Sequence, residues 1–171
     1  MLVSRIRPWQ VVALVLVAQV VALRAEGRRW WCACGQPNLW TSDAHGPHNS
    51  QHLFDPYSFS HVSHGALLCG LTWLVARPAG MKWRFCLAVA AEVAWEAIEN
   101  SNVVIDRFRA GAVAAGYRGD SIANSVGDVL ACMVGFAAAR RLGLWWSVAL
   151  VGVIEVGLYF WIGDNLFLDA W

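Results

Sequence analysis

The sequence predicts an all-α protein, a polytopic bundle of about five membrane-spanning helices. Three observations predict it. Of the 171 residues, 58% are apolar and 15% are charged, and mean hydropathy is +0.46. Apolar runs long enough to cross a bilayer recur along the chain. Many of the eleven tryptophans stand at the ends of these runs, as expected of amphipathic rings that prefer the headgroup layer.

The predicted helices belong to one integral membrane domain that covers residues 1–171. Their expected bounds are about 9–23, 60–75, 83–98, 122–139 and 144–162. The first run follows basic residues but lacks a small-x-small cleavage site, so we expect a retained anchor rather than a signal peptide. Residues 25–59 then form one long loop between the first two helices.

Basic residues set the predicted orientation. Seven of the 13 fall on one side of the membrane, close to helix ends, and the residues after Ile162 add none to the other side. By the positive-inside rule the N-terminus is cytoplasmic, and the long loop is extracytoplasmic. We therefore expect a multi-pass protein of the cell inner membrane. The first set comprises Arg5, Arg7, Arg77, Lys82, Arg84, Arg140 and Arg141.

The net charge of +1 leaves no electrostatic signal for nucleic acid. The chain has no basic tract and no motif that reads DNA or RNA. We expect the lipid bilayer as its main partner, and nucleic acid is not expected to be one.

The parity of the crossings places distant polar residues on one face. His61 and His64 open the second helix, Glu99 closes the third, and Asp120 and Asn124 open the fourth. With five crossings these ends share the side of the membrane that carries the long loop. The sequence therefore predicts a polar pocket beneath that surface.

Polar stripes descend into the bilayer on the third and fourth helices. At helical spacing they comprise Glu92, Glu96 and Glu99, and Asp120, Asn124 and Asp128. Together with Glu155 of the fifth helix, Glu92 and Asp128 are expected at mid-membrane depth. An ionised carboxylate there costs on the order of 2.5 to 3.5 kcal/mol. These three helices carry no basic residue at that depth, so we expect a proton, a bound cation or a cationic substrate group as counter-charge.

All five histidines lie between positions 45 and 64. His61 and His64 are spaced i, i+3, which lets both face one divalent ion such as zinc, with carboxylates of other helices completing the shell. The expected ligands are His61, His64, Glu99 and Asp128. The alternative is that these imidazoles hydrogen-bond to water and to helix ends.

The same face supplies the candidate catalytic residues. They are His61, His64, Glu96, Glu99, Asp120, Asn124 and Asp128. Asp120 also follows Gly119 at a helix start, where an acidic side chain is favoured as an N-cap. We expect capping to be its main role.

Cys32 and Cys34, in "CACG", leave two alternatives open. A thiolate pair binds metal or cycles between redox states, whereas an extracytoplasmic loop favours a disulfide, strained here because one residue separates the cysteines. Zinc ribbons use wider spacing and two such pairs. We expect the loop histidines His45, His48 and His52 to bind ions weakly at most.

Arg107 and Arg109, in "IDRFR", are candidate substrate-binding residues. Guanidinium groups suit a lipid phosphate or another anionic group near the headgroups. The alternative is a local ion pair with Asp106 or Glu99.

Long motifs cover most of the chain from Trp30 to Leu166. They are "CACG", "NSQHLFDPYSFSHVSHG", "WEAIEN", "IDRFR", "YRGDSIANSVGD" and "DNL". In these the chain resembles an uncharacterised bacterial inner-membrane family, uncharacterised protein family 0314 with domain of unknown function 2585. The resemblance implies a multi-pass cell-membrane protein and supplies no catalytic residue. A fainter likeness to VanZ-like membrane proteins, with an early-helix His, a mid-helix Glu and Asp-x-x-x-Asn in similar order, implies a common helical scaffold.

Three functions follow as hypotheses. The first is a metal-dependent enzyme that acts on a lipid or lipid-linked substrate at the extracytoplasmic face. The second is a non-enzymatic partner of a larger membrane complex. The third is a proton-coupled carrier with Glu92, Asp128 and Glu155 as its intramembrane relay.

Overall fold

The computed structural model describes residues 6–110 and 117–169. Its helices are α1 (Pro8–Ala25), α2 (Ser58–Val75), α3 (Met81–Glu99), α4 (Asn102–Ala110), α5 (Ile122–Leu142), α6 (Leu144–Ile162) and α7 (Leu166–Asp169). Within these residues the only β-type pairing is a single bridge between Trp40 and Phe54. The all-α prediction is confirmed. Arg5, which contributed to the predicted orientation, lies outside the described residues.

The five long helices occupy the five predicted apolar runs. Three of them, α1, α5 and α6, are long and apolar enough to cross a membrane. The outer surface of the bundle is apolar as well, since Trp145 and Phe160 of α6 are each 81% exposed. These features are typical of a helical membrane bundle. That α2 and α3 also cross, giving five spans, stays a prediction.

Glycines bring α2 and α5 into backbone contact, and these two helices form the most extensive pair in the bundle. A Cβ on Gly65 of α2 would collide with the backbone carbonyl of Cys132, and one on Gly135 of α5 would collide with that of Val62. Small residues permit such close approach between helices in membranes. The pairing fixes the position of the N-terminal half of α2, which carries the predicted histidines.

Helix α3 packs between α1 and α5. Val89 and Val93 of α3 and Val129 of α5 form a buried cluster, against which Val12 and Leu16 of α1 pack. With this valine face turned to α1 and α5, Glu92 and Glu96 of α3 are also buried. They lie toward the N-terminal half of α2.

The long loop covers the N-terminus of α5. The backbone N–H groups of Ser121 and Ile122 donate to the carbonyls of Ser50 and Arg29, at 2.9 and 2.8 Å. These bonds satisfy donors that a helix start leaves without an intrahelical partner. The N-cap itself is Ser121, whose side chain accepts from the backbone N–H of Asn124. The prediction that Asp120 caps this helix is wrong by one position.

Candidate functional site

His61, His64 and Glu92 meet inside the bundle. Nδ1 of His61 lies 2.6 Å from Oε1 of Glu92, and Nδ1 of His64 lies 3.1 Å from the same oxygen. The His61 and Glu92 side chains are 7% and 2% exposed, and that of His64 is 14% exposed. Two imidazoles of α2 therefore converge on one carboxylate oxygen of α3.

A second carboxylate, that of Glu96, lies beside His61. Its Oε1 is 3.4 Å from Nδ1 of His61, and its Oε2 accepts a hydrogen bond from the Ser125 hydroxyl. Gln19 of α1 in turn donates to the Ser125 hydroxyl at 2.7 Å. Sequence reasoning missed Gln19, although a single glutamine within the apolar run "LVLVAQVV" was a signal that could have found it.

Asp128 of α5 faces the other nitrogen of the His61 ring. Its Oδ2 is 3.9 Å from Nε2, and its Oδ1 accepts a hydrogen bond from the Ser58 hydroxyl at 2.6 Å. His61 is thus enclosed by acids of two helices, with Glu92 and Glu96 on one side and Asp128 on the other. We call His61, His64, Glu92, Glu96 and Asp128 the bundle cluster.

The geometry adds two imidazoles to the groups that face the buried acids. From the sequence we expected His61 and His64 near the surface, with a proton, a bound cation or a cationic substrate group as counter-charge for Glu92, Asp128 and Glu155. His64 lies six residues after Ser58, the first residue of α2. That spacing is about 9 Å at 1.5 Å per residue, similar to the depth of Glu92 below the end of α3. The imidazoles of α2 therefore face these acids directly.

Glu155 does not join the bundle cluster. Its Oε2 accepts a hydrogen bond from the backbone N–H of Leu166 at 2.9 Å, where the chain turns back after α6. In the described part of the chain no hydrogen bond links it to Glu92 or Asp128. The three acids expected to form one relay are therefore divided.

The predicted metal ligands are divided as well. One group of ligand atoms within 4.8 Å of one another comprises His61, His64 and Glu92, and another comprises His61, Glu96 and Glu99. Glu99 thus approaches His61 from the end of α3, while Glu92 is the acid that both imidazoles share. Asp128 lies near the imidazole of His61, at 3.9 Å, and is not in either group of ligand atoms found among the described residues.

Asp120 and Asn124 are buried next to the bundle cluster. Asp120 accepts hydrogen bonds from the side-chain amide of Asn100 at 2.7 Å and from the Tyr117 hydroxyl at 2.9 Å. Burial raises the pKa of Asp120. The amide nitrogen of the Asn124 side chain has no hydrogen-bond partner among the described residues. Asp120 therefore joins the end of α3 to the segment before α5.

A cavity of about 50 Å³ opens beside His61. Its walls include Glu99, Asp120 and Asp128, and the loop residues Asn49 and Ser50 border it. A polar space of this size accommodates ordered water. His61 and Asp128 of the bundle cluster therefore border a space that can hold water on the loop side.

Arg107 and Arg109 lie on α4 and are exposed. Nε of Arg109 donates to the backbone carbonyl of Tyr117, and its Nη1 lies 3.7 Å from Oδ1 of Asp106. The local ion pair with Asp106 is thus present. Phe108, between the two arginines, borders the cavity, and so does Tyr117, which Arg109 contacts.

Asp55, which sequence reasoning also missed, anchors the loop beneath the cavity. It is fully buried and accepts hydrogen bonds from the backbone N–H groups of Ser50 and Tyr57, at 2.9 and 2.8 Å. Burial, with Asp120 nearby, raises the pKa of Asp55 to about 6. The motif "DPYS" before a helix was the available signal, since aspartate favours turns of this kind.

The fold and the cluster define a class: a helical membrane-type protein with a buried histidine–carboxylate centre. A family model described as "Protein of unknown function (DUF2585)" matches residues 23–170. The chain belongs to this family, as its motifs predicted.

Relatives named UPF0314 protein are similar over nearly the full chain. The protein of Paracoccus denitrificans is 40% identical over 170 residues, which cover 99% of this chain and 88% of the relative. That of Agrobacterium fabrum is 40% identical over 165 residues, 96% and 83% of the two chains. That of Rhizobium meliloti is 43% identical over 156 residues, 91% and 79%. No solved structure matches the chain.

Proposed function

We propose that this protein is a multi-pass inner-membrane hydrolase that uses a divalent metal ion, zinc or a similar one, on a lipid or lipid-linked substrate at the extracytoplasmic face. One observation carries the proposal. His61, His64 and Glu92 each offer one ligand atom, and these atoms lie within 4.8 Å of one another. Two histidines and one glutamate form a donor set typical of catalytic zinc, with the fourth position left to water or substrate.

The distances suit an ion with little rearrangement. Ligand atoms at 2.0 to 2.1 Å from a tetrahedral ion lie about 3.3 Å apart. The two nitrogens lie 2.6 and 3.1 Å from Oε1 of Glu92, so small side-chain rotations make room. Asp128, opposite Nε2 of His61, supplies the carboxylate that commonly orients a metal-binding imidazole. In this proposal Glu92 replaces Glu99 and Asp128 as the carboxylate ligand.

The ion and the neighbouring glutamates would have different roles in hydrolysis. A bound divalent ion supplies Lewis acidity and lowers the pKa of a water molecule toward neutrality. Glu96, 3.4 Å from Nδ1 of His61, is placed to accept the proton of that water, and Ser125 holds its second oxygen. Glu99 lines the cavity beside His61, which would supply the water.

The surroundings of the cluster favour an amphiphilic substrate. His64 is its most exposed member and packs edge-on against Trp95, at 5.8 Å between ring centroids. Trp95 is itself 40% exposed on the apolar outer surface. A lipid-linked substrate would approach along this side, with its phosphate held by Arg107 or Arg109 at the rim.

Two other functions use the same contacts. The 2.6 Å contact of His61 with Glu92 also suits a proton-sharing polar seam, as expected of an assembly partner or a carrier. The position of Glu155, away from the cluster, weakens the relay that a carrier would need.

Metal content and turnover test the proposal together. Protein purified in detergent without chelator is compared with Glu92→Gln, His64→Gln and the matched control His45→Gln, an exposed loop histidine outside the cluster. We expect the first two variants to lose one metal equivalent per chain and metal-dependent release of phosphate or headgroup from lipid-linked substrates. The control should keep both.

Three results would contradict this function. Equal metal content in all variants favours the polar seam. Proton flux in proteoliposomes that Glu92→Gln abolishes, with no bound metal, favours a carrier. Full cellular function of His61→Ala favours an assembly partner.

A further inference from the structure

The loop between α1 and α2 contains a second group of metal-ligand side chains, which shares no residue with the bundle cluster and differs from it in containing two cysteines. Cys32, Cys34, His48 and His52 each offer one ligand atom, and these atoms all lie within 4.8 Å of one another. We propose that these four residues bind a zinc-type ion in a closed, tetrahedral structural site. We call them the loop cluster.

The spacing of the ligand atoms fits such an ion. Sγ of Cys32 lies 3.4 Å from Nδ1 of His48, and that nitrogen lies 3.2 Å from Nε2 of His52. Thiolate and imidazole ligands on a tetrahedral zinc ion lie about 3.3 to 3.8 Å apart. The three atoms therefore already surround a common point.

Local backbone structure holds the ligands in place. Gly35 adopts φ +75°, and its N–H donates to the carbonyl of Cys32 at 3.2 Å, so the chain turns tightly around Cys34. On the other side Asp43 accepts hydrogen bonds from the backbone N–H groups of Gly46 and His48, at 2.7 and 3.1 Å. The two halves of the cluster are thus each fixed by their own turn.

The donor set favours a metal over a disulfide. Both cysteines are free, and a disulfide across one intervening residue is strained. A disulfide would also leave the two imidazoles, stacked at 5.3 Å between centroids, without a shared partner. His52 is 1% exposed and Cys32 is 6% exposed, whereas Cys34 is exposed, so the ion would be buried on one side and reachable from the side of Cys34. Thiolates with imidazoles select zinc or copper(I) rather than magnesium or calcium.

Four protein ligands leave no open coordination position, so the site is structural rather than catalytic. Its location gives it a specific task. Asn49 and Ser50, which border the cavity beside His61, directly follow His48. An ion bound to the loop cluster would fix this border, whether or not the bundle cluster is an enzyme centre.

Cobalt(II) separates this site from the bundle cluster. The full-length protein, stripped of metal in detergent, is titrated with Co²⁺ and followed by absorption in the near-ultraviolet and visible ranges. We expect a thiolate-to-cobalt charge-transfer band with tetrahedral d–d bands, lost in Cys32→Ser and His52→Ala. The band should persist in Glu92→Gln, whose cluster has no thiolate, and in the control Cys69→Ser on α2.

A second measurement uses the wild-type protein alone, so it tests the proposal even if the variants do not fold. In the wild-type protein Cys34 is exposed, so its alkylation by iodoacetamide should be fast without metal and at least about tenfold slower with one equivalent of Zn²⁺. Absence of the charge-transfer band, its persistence in Cys32→Ser, or alkylation unaffected by Zn²⁺ would each overturn the proposal. Loss of metal from Glu92→Gln alone would leave it standing.

Discussion

The bundle cluster and the loop cluster each pair two histidines with anionic ligands, but they are supported in different ways. His61 and His64 lie one helical turn apart on α2, which glycine contacts hold against α5. His48 and His52 lie in a loop. Within the described residues, the regular backbone pairing of that loop consists of one β-bridge. The first pair is placed by helix packing, and the second by short turns.

Because of this difference, a bound ion would have a different effect at each cluster. Helix packing already positions the bundle ligands, so binding there would change charge more than structure. The loop has little core of its own, so binding there would contribute to its folding. A pair of histidines therefore implies chemistry in one region and stability in the other.

The largest effect is expected where the bundle cluster depends on glycine. Gly135→Leu places a side chain against the backbone carbonyl of Val62, which cannot yield as a side chain would. We expect a loss of more than about 3 kcal/mol, enough to prevent assembly of the bundle. Size-exclusion chromatography of the solubilised protein measures it. Gly152→Leu is the control, since its Cβ meets nothing within 4 Å, and equal behaviour of the two variants would refute the helix-packing account.

Removal of metal with a chelator should affect the loop and the helices differently. Removal of metal is expected to raise amide hydrogen exchange at least about tenfold across residues 26–57 and to leave α2 and α5 nearly unchanged. Hydrogen–deuterium exchange with mass spectrometry measures both in one sample. The variant Cys32→Ser should show the same increase in amide hydrogen exchange across the loop without any chelator. An equal increase in amide hydrogen exchange in the helices and in the loop would contradict the claim that the ion stabilises the loop alone.

A smaller effect is expected from pH, through Asp55 at the junction of loop and bundle. Its pKa is raised from near 3.8 to about 6, so the buried side chain prefers its proton. The stabilisation is fully present below the unfolded pKa and is lost as pH rises through about 6. Between about pH 5 and pH 8 the free energy of unfolding should fall by about 1 to 2 kcal/mol.

Asp55→Asn isolates this contribution from those of Asp120 and His61, which also act on Asp55. Thermal unfolding in detergent, compared across that pH range, should show a flatter profile for the variant. Parallel profiles for both proteins would show that Asp55 is ionised at low pH.

The smallest effect is expected at Glu155, which belongs to neither cluster. In Glu155→Gln the amide oxygen still accepts the hydrogen bond from Leu166, so stability should change by less than about 1 kcal/mol. Metal content of the purified protein should equal that of the wild type. A lost equivalent would place Glu155 in the bundle cluster after all.

The sequence was informative about helices and about which ends meet. Apolar runs of 15 to 20 residues have few alternatives to helix, and two successive antiparallel helices bring the start of α2 to the end of α3. That His61 approaches Glu99 was therefore predictable, and their ligand atoms do group together. Membership of the family was also readable from long motifs.

The choice of partner within the cluster was not predictable. Whether His61 faces Glu92 or Glu99 depends on how far α2 is displaced along its axis relative to α3, because the two glutamates share one face of α3 at different depths. Hydropathy contains no information on that displacement. The depth of His64 was available by counting residues from Ser58, yet a polar helix start was interpreted as the surface.

The loop cluster escaped prediction for a different reason. Its cysteines and histidines are separated by an irregular segment, and no periodicity relates Cys34 to His48. The distance between them depends on turns at Gly35 and Asp43. Helix α4 was missed because nine residues with both arginines and apolar side chains resemble a loop in a hydropathy profile.

The glycine contacts between α2 and α5 also determine how the bundle responds mechanically to charge. His61 and His64 move with that locked pair, whereas Glu92 and Glu96 move with α3, whose sequence has no glycine. A proton or ion gained at the cluster therefore changes the charge between α3 and the α2–α5 pair rather than within one helix. Asn100, directly after α3, donates a hydrogen bond to Asp120 at 2.7 Å, so the same helix also connects the cluster to the rim of the cavity.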